Sequence, residues 1–394
     1  MLVLQHVADA LRLAFAMFWQ VLWPLIIGFL LSAIVETLVS KQAVSRVLGR
    51  DTVRSAAAAT AFGAASSSCS YAAAAVARSL FRKGATLANA IIFEFASTNV
   101  VFELGLVLLI LLGWQFLGAE FAGGILMVVL LAIMFRLTLR PRLVEAATEQ
   151  AAKGVLGRME GHGTMDMAVT DGPFVRRLFS GRAFTAISHY FFMNVASLWG
   201  DLVLGFLIAG ALGAWVPDGF WSALFLSGHG GLTIAWGAII GPLIAVITFV
   251  CSVGNVPLAA VLWRGGISFA GAIAFIFADL IIIPILDIYR KYYGLRVSAY
   301  LLVVSFIAMA AAGLTVGVVF QAVGLVPASR NVTAFATTIS WNYDTFINIG
   351  VLMLTGALGV RFLRTGGFDM LRMMERPPDT MEEHARAAPG LGSR

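Results

Sequence analysis

Charge is what this sequence has least of. Only 12% of its 394 residues are Asp, Glu, Lys or Arg, against 60% hydrophobic, and the mean hydropathy is +0.90. Soluble domains carry roughly 45 to 50% apolar residues, so a water-facing surface cannot be dressed from this composition. Cysteine is nearly absent too. Cys69 and Cys251 both lie inside apolar stretches, which argues against a disulfide framework and against a zinc module with CxxC spacing. No glycine-rich loop ends in Gly-Lys-Ser/Thr, which argues against ATP drive within this chain. The net charge is +6, but Lys and Arg gather at the ends of apolar segments and form no basic stripe with interleaved aromatics. No nucleic-acid partner is expected from that pattern, and no cofactor is implied.

What the sequence has is long apolar runs, at about residues 11–39, 56–81, 86–112, 120–139, 195–216, 234–263, 267–288, 297–320 and 340–363. A bilayer core about 30 Å thick needs about 20 apolar residues per helix. The runs are continuous and rich in Leu, Ala and Phe, without the ten-residue alternation of a membrane barrel. The expected fold class is therefore an all-α polytopic membrane protein. No Lys or Arg precedes the first run and no small-residue cleavage site follows it, so it reads as a retained helix and not a signal peptide. Residues 140–184 are the one long polar stretch, with seven Lys or Arg and five acids. It divides residues 1–139, a first membrane repeat, from residues 185–322, a second. Residues 323–364 add one further transmembrane helix, and residues 365–394, with Pro377-Pro378, form a tail too polar to fold alone.

The two halves repeat at an offset of 182 residues: Cys69 matches Cys251, Ser70 matches Ser252, Ala77 matches Ala259, Leu80 matches Leu262, Arg82 matches Arg264, Gly84 matches Gly266, Ala90 matches Ala272, Phe93 matches Phe275, Phe95 matches Phe277 and Ala96 matches Ala278. Alanine-rich composition alone does not match Cys, Arg and Gly. Basic residues then settle orientation through the positive-inside rule. Lys41, Arg46, Arg50 and Arg54, Arg82 and Lys83, the 140–184 linker, Arg290, Lys291 and Arg296, and Arg361, Arg364 and Arg372 all fall inside only if segments 56–81 and 234–263 enter and leave by the same face. The expectation is seven full crossings, an external N-terminus, a cytoplasmic linker and tail, and two broken re-entrant hairpins entering from opposite faces. Three crossings and one hairpin per half make the repeats inverted, the pattern of secondary transporters.

Irregular backbone inside a bilayer is tolerated only where protein or a wet cavity satisfies it, so the hairpin tips are expected to mark the pathway. In the first half Ser66-Ser67-Ser68-Cys69-Ser70-Tyr71 sets polar side chains in a row amid alanines; in the second, Cys251-Ser252-Val253-Gly254-Asn255-Val256-Pro257 combines helix breakers with a thiol, a hydroxyl and an amide. The plainer reading of both is close helix packing by small residues. Their recurrence at the repeat-equivalent point favours a pathway formed by Ser67, Ser68, Cys69, Ser70, Tyr71, Cys251, Ser252, Gly254, Asn255 and Pro257, with Gly254 to Pro257 unwound. Two thiols near a pseudo-twofold axis could ligate a soft ion, although a free Cys is commonly a small buried hydrophobe. Intramembrane acids are costly. Glu94 and Asp279 lie deepest and are the candidates for proton coupling or for pairing with Arg78, Arg82 or Arg264; Glu103 carries less weight, while Asp287 and Glu36 sit near helix ends and are expected to face water. His229, in a Gly-rich turn, reads as a surface histidine.

The run from Cys251 to Pro257, followed by Trp263-Arg264-Gly265-Gly266 and by Phe275 to Pro284 with Asp279, resembles the bacterial predicted-permease family that includes organoarsenical efflux permeases. The likeness spans most of residues 10–320. It implies an inner-membrane permease with duplicated halves, in a family some of whose members export trivalent arsenicals or are linked to metal-ion efflux. Cys69, Cys251, Gly254, Asn255, Pro257, Gly84, Gly266 and Asp279 carry it. The exporter-like Cys-x-Cys-Gly-x-x-Pro pattern is absent, since Cys69 is followed by Ser70-Tyr71-Ala72-Ala73-Ala74-Ala75, and a chelating pair within one hairpin is unavailable. The expected function is a permease moving a small solute, with thiol-reactive metalloid or soft-metal species as candidates, by efflux. The alternatives are a passive channel of the same fold, a membrane thiol oxidoreductase using Cys69 and Cys251, and a structural scaffold.

Overall fold

The computed structural model describes residues 2–38, 44, 46–153, 167–169, 173–226, 228–248, 252–330 and 343–374. Cys251 and residues 375–394 of the expected tail lie outside the described residues. Among those described, every regular element is helical. Among the described residues eight helical spans, two of them interrupted, are long and apolar enough to cross a membrane. Their outer faces are apolar: Ile125, Val129 and Ile133 recur at helical spacing and are each about half exposed, as lipid contact requires and water would penalise. The chain is a multi-pass membrane protein.

The first half runs α1 (Leu2–Leu38), α2 (Val53–Ser66), α3 (Ser70–Arg82), α4 (Leu87–Asn99), α5 (Phe102–Leu111) and α6 (Trp114–Thr138). The polar linker is not all loop. Pro141 starts a short amphipathic helix, α7 (Pro141–Ala152), and α8 (Phe174–Leu178) follows. The second half runs α9 (Gly181–Trp215), α10 (Asp218–Leu224), α11 (Gly231–Thr248), α12 (Ser252–Gly265), α13 (Phe269–Phe277), a 3-10 turn (Ala278–Ile281), α14 (Ile283–Tyr293) and α15 (Leu295–Ala322); α16 (Tyr343–Arg364) and α17 (Gly367–Met374) complete the described chain.

Positions about 182 residues apart share local geometry. Gly84 and Gly266 both turn the chain at positive φ, 104° and 109°. Two residues later Thr86 and Ser268 cap α4 and α13, each side-chain oxygen accepting a backbone N–H from the third residue on. Gly113 and Gly294 start α6 and α15 at φ 98° and 91°. The span from Leu87 to Leu111 is interrupted at Val100-Val101, and its counterpart from Phe269 to Tyr293 at the 3-10 turn and extended Ile282. Pro284 suits that second interruption: it stands in the first turn of α14, where its missing N–H costs no intrahelical bond, and in an uninterrupted helix its ring would clash with the Leu280 carbonyl.

Segment 53–82 begins and ends at one level. The Thr86 N–H donates to the Leu48 carbonyl, and the Asn89 amide donates to Leu48 O and Arg50 O at 2.9 and 2.8 Å. The approach to α2 and the exit from α3 are thus both tied to the first turn of α4. At the other end the Ser68 N–H donates to Ser97 O at 2.9 Å. The 14 residues of α2 span about 21 Å, short of a bilayer core. The partner limb differs. α11 has 18 residues, about 27 Å, and ranks among the eight spans of crossing length although sequence placed it in a hairpin. It follows the same path: Gly237 lies against Ser268 and Gly271, and Gly241 against Gly271 and Phe275.

The halves meet along two seams. α1 and α9 lie antiparallel, with Trp215 donating to His6 O near one end and Asn194 to Glu36 near the other. The interrupted spans also run antiparallel: Asn99, at the end of α4, contacts Asp279 in the 3-10 turn, while Glu94 one turn earlier contacts Tyr289 in α14 beyond it.

Candidate functional site

The polar groups of the interior gather around the break between α2 and α3. Ser67 ends α2 in the left-handed region, φ 37° and ψ 83°. The carbonyls freed there are met by α1, whose Gly28, Ser32 and Glu36 share one face at a spacing of four. The Ser32 hydroxyl lies 2.5 Å from Ser66 O, 2.7 Å from Ser67 O and 3.1 Å from Glu36 Oε1, and Asn194 of α9 donates to both Ser32 and Glu36. Ser67 Oγ donates to Glu103 at 3.1 Å. Gly28 lets the Glu103 chain pass, since a Cβ there would sit 2.4 Å from Glu103 Cγ. Beside this cluster is a cavity of about 50 Å³, lined by Glu36, Ser66 and Ser68 and otherwise by apolar side chains including Val35, Phe62, Val76 and Phe93.

On the other side of the break, α3 begins. Cys69 is buried, and its sulfur accepts the Ala72 N–H at 3.2 Å as a helix cap. Ser70 Oγ donates to Asp279 Oδ2 at 2.8 Å, and the Asn99 amide donates to Asp279 Oδ1 at 3.1 Å. A carboxylate at the start of a helix is favoured by the helix dipole. The Asp279 carboxyl therefore joins the first turn of α3, the end of α4 and the 3-10 turn of the opposite half. Next to it the Tyr289 hydroxyl donates to Glu94 Oε1 at 2.7 Å. Glu94, Glu103, Glu120 and Asp279 are buried, and among the described residues no Lys or Arg nitrogen comes within 4.0 Å of any of them.

The second-half residues are arranged differently from expectation. Ser252, Gly254, Asn255 and Pro257 are helical and buried in α12, so no unwound stretch runs from 254 to 257. A helix needs few of its earliest N–H groups, and Pro257 near the start removes one bond, to Val253, without breaking the element. Asn255 is fully buried, with neither amide atom hydrogen-bonded. Residues 249–251, which include Cys251, lie outside the described residues. Tyr71 is buried beside Ser70. Among the described residues no group of three or more His, Cys, Asp or Glu is arranged to hold a metal ion.

Residues 6–318 match a family model described as "Predicted permease". The chain belongs to this family. The match covers both halves of the permease and stops before α16. It is also 52% identical over 347 residues, 88% of this chain and 86% of the other, to a Mycobacterium tuberculosis (strain ATCC 25618 / H37Rv) protein named "Putative permease Rv2963". No solved structure matches. Family and membrane-helical fold together support a membrane transporter.

Within this permease several buried polar groups escape sequence reasoning. Glu36 does not face water: α1 runs on to Leu38, and packing against Asn194 buries it. Asp287 does face water, paired with Arg290 and Lys291 at 2.7 and 2.9 Å. Glu94 and Asp279 take hydroxyl and amide partners in place of Arg78, whose guanidinium stacks 4.4 Å from the Tyr292 ring centre. His229 is exposed, as its Gly-rich turn suggested. Ser32, Asn194, Glu120 and Tyr289 carry no local signal beyond being polar within apolar runs; only tertiary contact reveals them.

Proposed function

We propose that this permease is a secondary transporter of the bacterial inner membrane that exports a small solute, built from two inverted repeats whose re-entrant hairpins meet at the middle of the bilayer. The node where Ser70, Asn99 and Asp279 converge carries this reading. There the tip of one half's hairpin is bonded to the interrupted span of the other half, so that both halves share one buried polar centre. The shared level of Leu48, Arg50 and Thr86 supports the re-entrant course of residues 53–82, and the antiparallel pairing of the interrupted spans supports inversion. Ser67, Ser68, Cys69, Ser70 and Tyr71 line the first half's share of the pathway; Cys251, Ser252, Gly254, Asn255 and Pro257 line the second's. Glu94 and Asp279 couple transport to protons, since buried carboxyls without a basic partner can change charge as the site changes exposure. Thiol-reactive metalloid and soft-metal species are the solutes to test first, with Cys69 at the hairpin tip as the soft ligand.

The test has two parts. Cells with and without the gene are challenged with arsenicals, soft metals and thiol-reactive compounds, and any compound whose toxicity depends on the gene is taken into proteoliposomes. A secondary transporter accumulates it against its gradient and loses that ability when an uncoupler collapses the proton gradient. Equilibration without accumulation would replace this reading with that of a passive channel.

A further inference from the structure

The interrupted spans are covered on one side by α6, which approaches them closely at two glycines. A Cβ on Gly123 would stand 2.7 Å from the Phe277 ring, and one on Gly124 would stand 2.9 Å from Asn99 O. The helix backbone therefore rests on both interruptions at once. Glu120 lies three and four residues before those glycines, on the same face. It is wholly buried, and both of its carboxylate oxygens lack a hydrogen-bond partner. Asp279 is within electrostatic reach of it.

Donors and acceptors around this point do not balance. The Ser70 hydroxyl, the Asn99 amide and the Tyr289 hydroxyl are already used on Asp279 and Glu94. Glu120 Oε1 and Oε2, Asn99 Oδ1 and Glu94 Oε2 remain as buried acceptors with no donor. An ionised carboxylate only accepts, whereas a protonated one brings a donor of its own. Ionising several carboxyls together in a dry interior with no basic partner is costly. Nor is Glu120 explained by packing, which a leucine would serve at lower cost. Among the described residues no group of three or more His, Cys, Asp or Glu is arranged there to hold a metal ion.

We infer that Glu120 is a proton carrier of the permease, acting with Asp279 as a second protonatable carboxyl at the crossing of the interrupted spans. This rests on the reading of Asp279 as a coupling group. Protons arrive at and leave its carboxyl by making and breaking one O–H bond, with no other chemistry. Asp279 of the 3-10 turn is the titratable group within electrostatic reach of Glu120, and Asp279 in turn acts on Glu94 of α4 and Tyr289 of α14; of the other elements packed against α6, α5 carries Glu103 and α15 carries Arg296 and Tyr300 near its start.

The experiment is infrared difference spectroscopy of the full-length protein in lipid nanodiscs, stepped between acidic and alkaline buffer without any solute. The wild type is compared with Glu120→Gln, Glu120→Asp and Asp279→Asn. Glu120→Gln is expected to lose one protonated-carboxyl C=O band and to shift the band that Asp279→Asn removes; Glu120→Asp is expected to keep the band at a moved position. If Glu120→Gln does not fold, a displaced Glu120 band in Asp279→Asn decides the matter in favour. A Glu120→Gln spectrum identical to wild type overturns the inference. So does a sodium step at constant pH that alone produces the band change, which would make the site one for an alkali cation. Because no solute is present, these bands persist even if every transport assay fails, and the two readings fall separately.

Discussion

Ser67 concentrates strain at the point where α2 gives way to α3. A left-handed conformation costs a non-glycine residue about 1 to 2 kcal/mol, and its hydroxyl offsets part of this by donating to buried Glu103. Ser67→Ala keeps the strain and removes the donor, which costs about 1 to 3 kcal/mol for an orphaned carboxylate. Its detergent-solubilised melting temperature is expected to fall by several degrees, whereas Ser67→Gly, which relieves the backbone, is expected to stay closer to wild type. At Asp279, Asn retains an acceptor for Ser70 but cannot ionise. Asp279→Asn is therefore expected to stay folded and to lose gradient-driven accumulation at least tenfold, while Asp279→Leu also loses thermal stability. Glu94 and Asp279 could be picked out of the sequence because each interrupts the middle of an apolar run. Glu120 could not, since it stands at the edge of the run at residues 120–139. Gly113 caps α6 early enough that the helix starts at Trp114, which carries Glu120 a turn and a half inward.

Helix packing depends on glycines in the limbs around these breaks. Gly237 and Gly241 bring α11 onto Gly271, and Gly313 and Gly317 bring α15 onto Ala270 and Ala274. Small residues four apart permit such approach where lipid supplies no hydrophobic drive. A Cβ on Gly317 would stand 2.5 Å from the Ala270 Cβ, so Gly317→Leu must push the helices apart at a cost of about 1 to 3 kcal/mol or more. Thermal melting is expected to show the loss. Gly84→Ala meets no atom within 4 Å and carries only the positive φ of 104°, so its cost is confined to about 1 to 2 kcal/mol. The offset of 182 was visible because Gly84 and Gly266 must turn the chain at positive φ and leave a residue-type trace. The GxxxG contacts were not, because in a sequence this rich in glycine and alanine a packing glycine looks like any other.

Taken whole, the apolar runs announced an all-helical chain of many crossings; among the described residues eight spans have crossing length where seven were expected, because α11 is long enough to be one of them. The contact between halves was not readable, because it depends on which polar atoms meet across separations of 158 to 209 residues. In a background lacking Cys69 and Cys251, Arg54→Cys and Lys83→Cys are expected to react with an impermeant maleimide from the same side of oriented vesicles, and Leu232→Cys and Arg264→Cys from the other. Labelling of 54 and 83 from opposite sides would turn residues 53–82 into a simple crossing and remove the inverted arrangement.

The hydrogen bonds from Thr86 and Asn89 to Leu48 and Arg50 clamp the two ends of residues 53–82 together, and those from Ser68 and Ser70 clamp the turn between α2 and α3. A beam held at both ends cannot swing. It can only be carried, so any motion that opens the interior must drag α4 and the opposite half's 3-10 turn along with it, or first release Ser70 from Asp279.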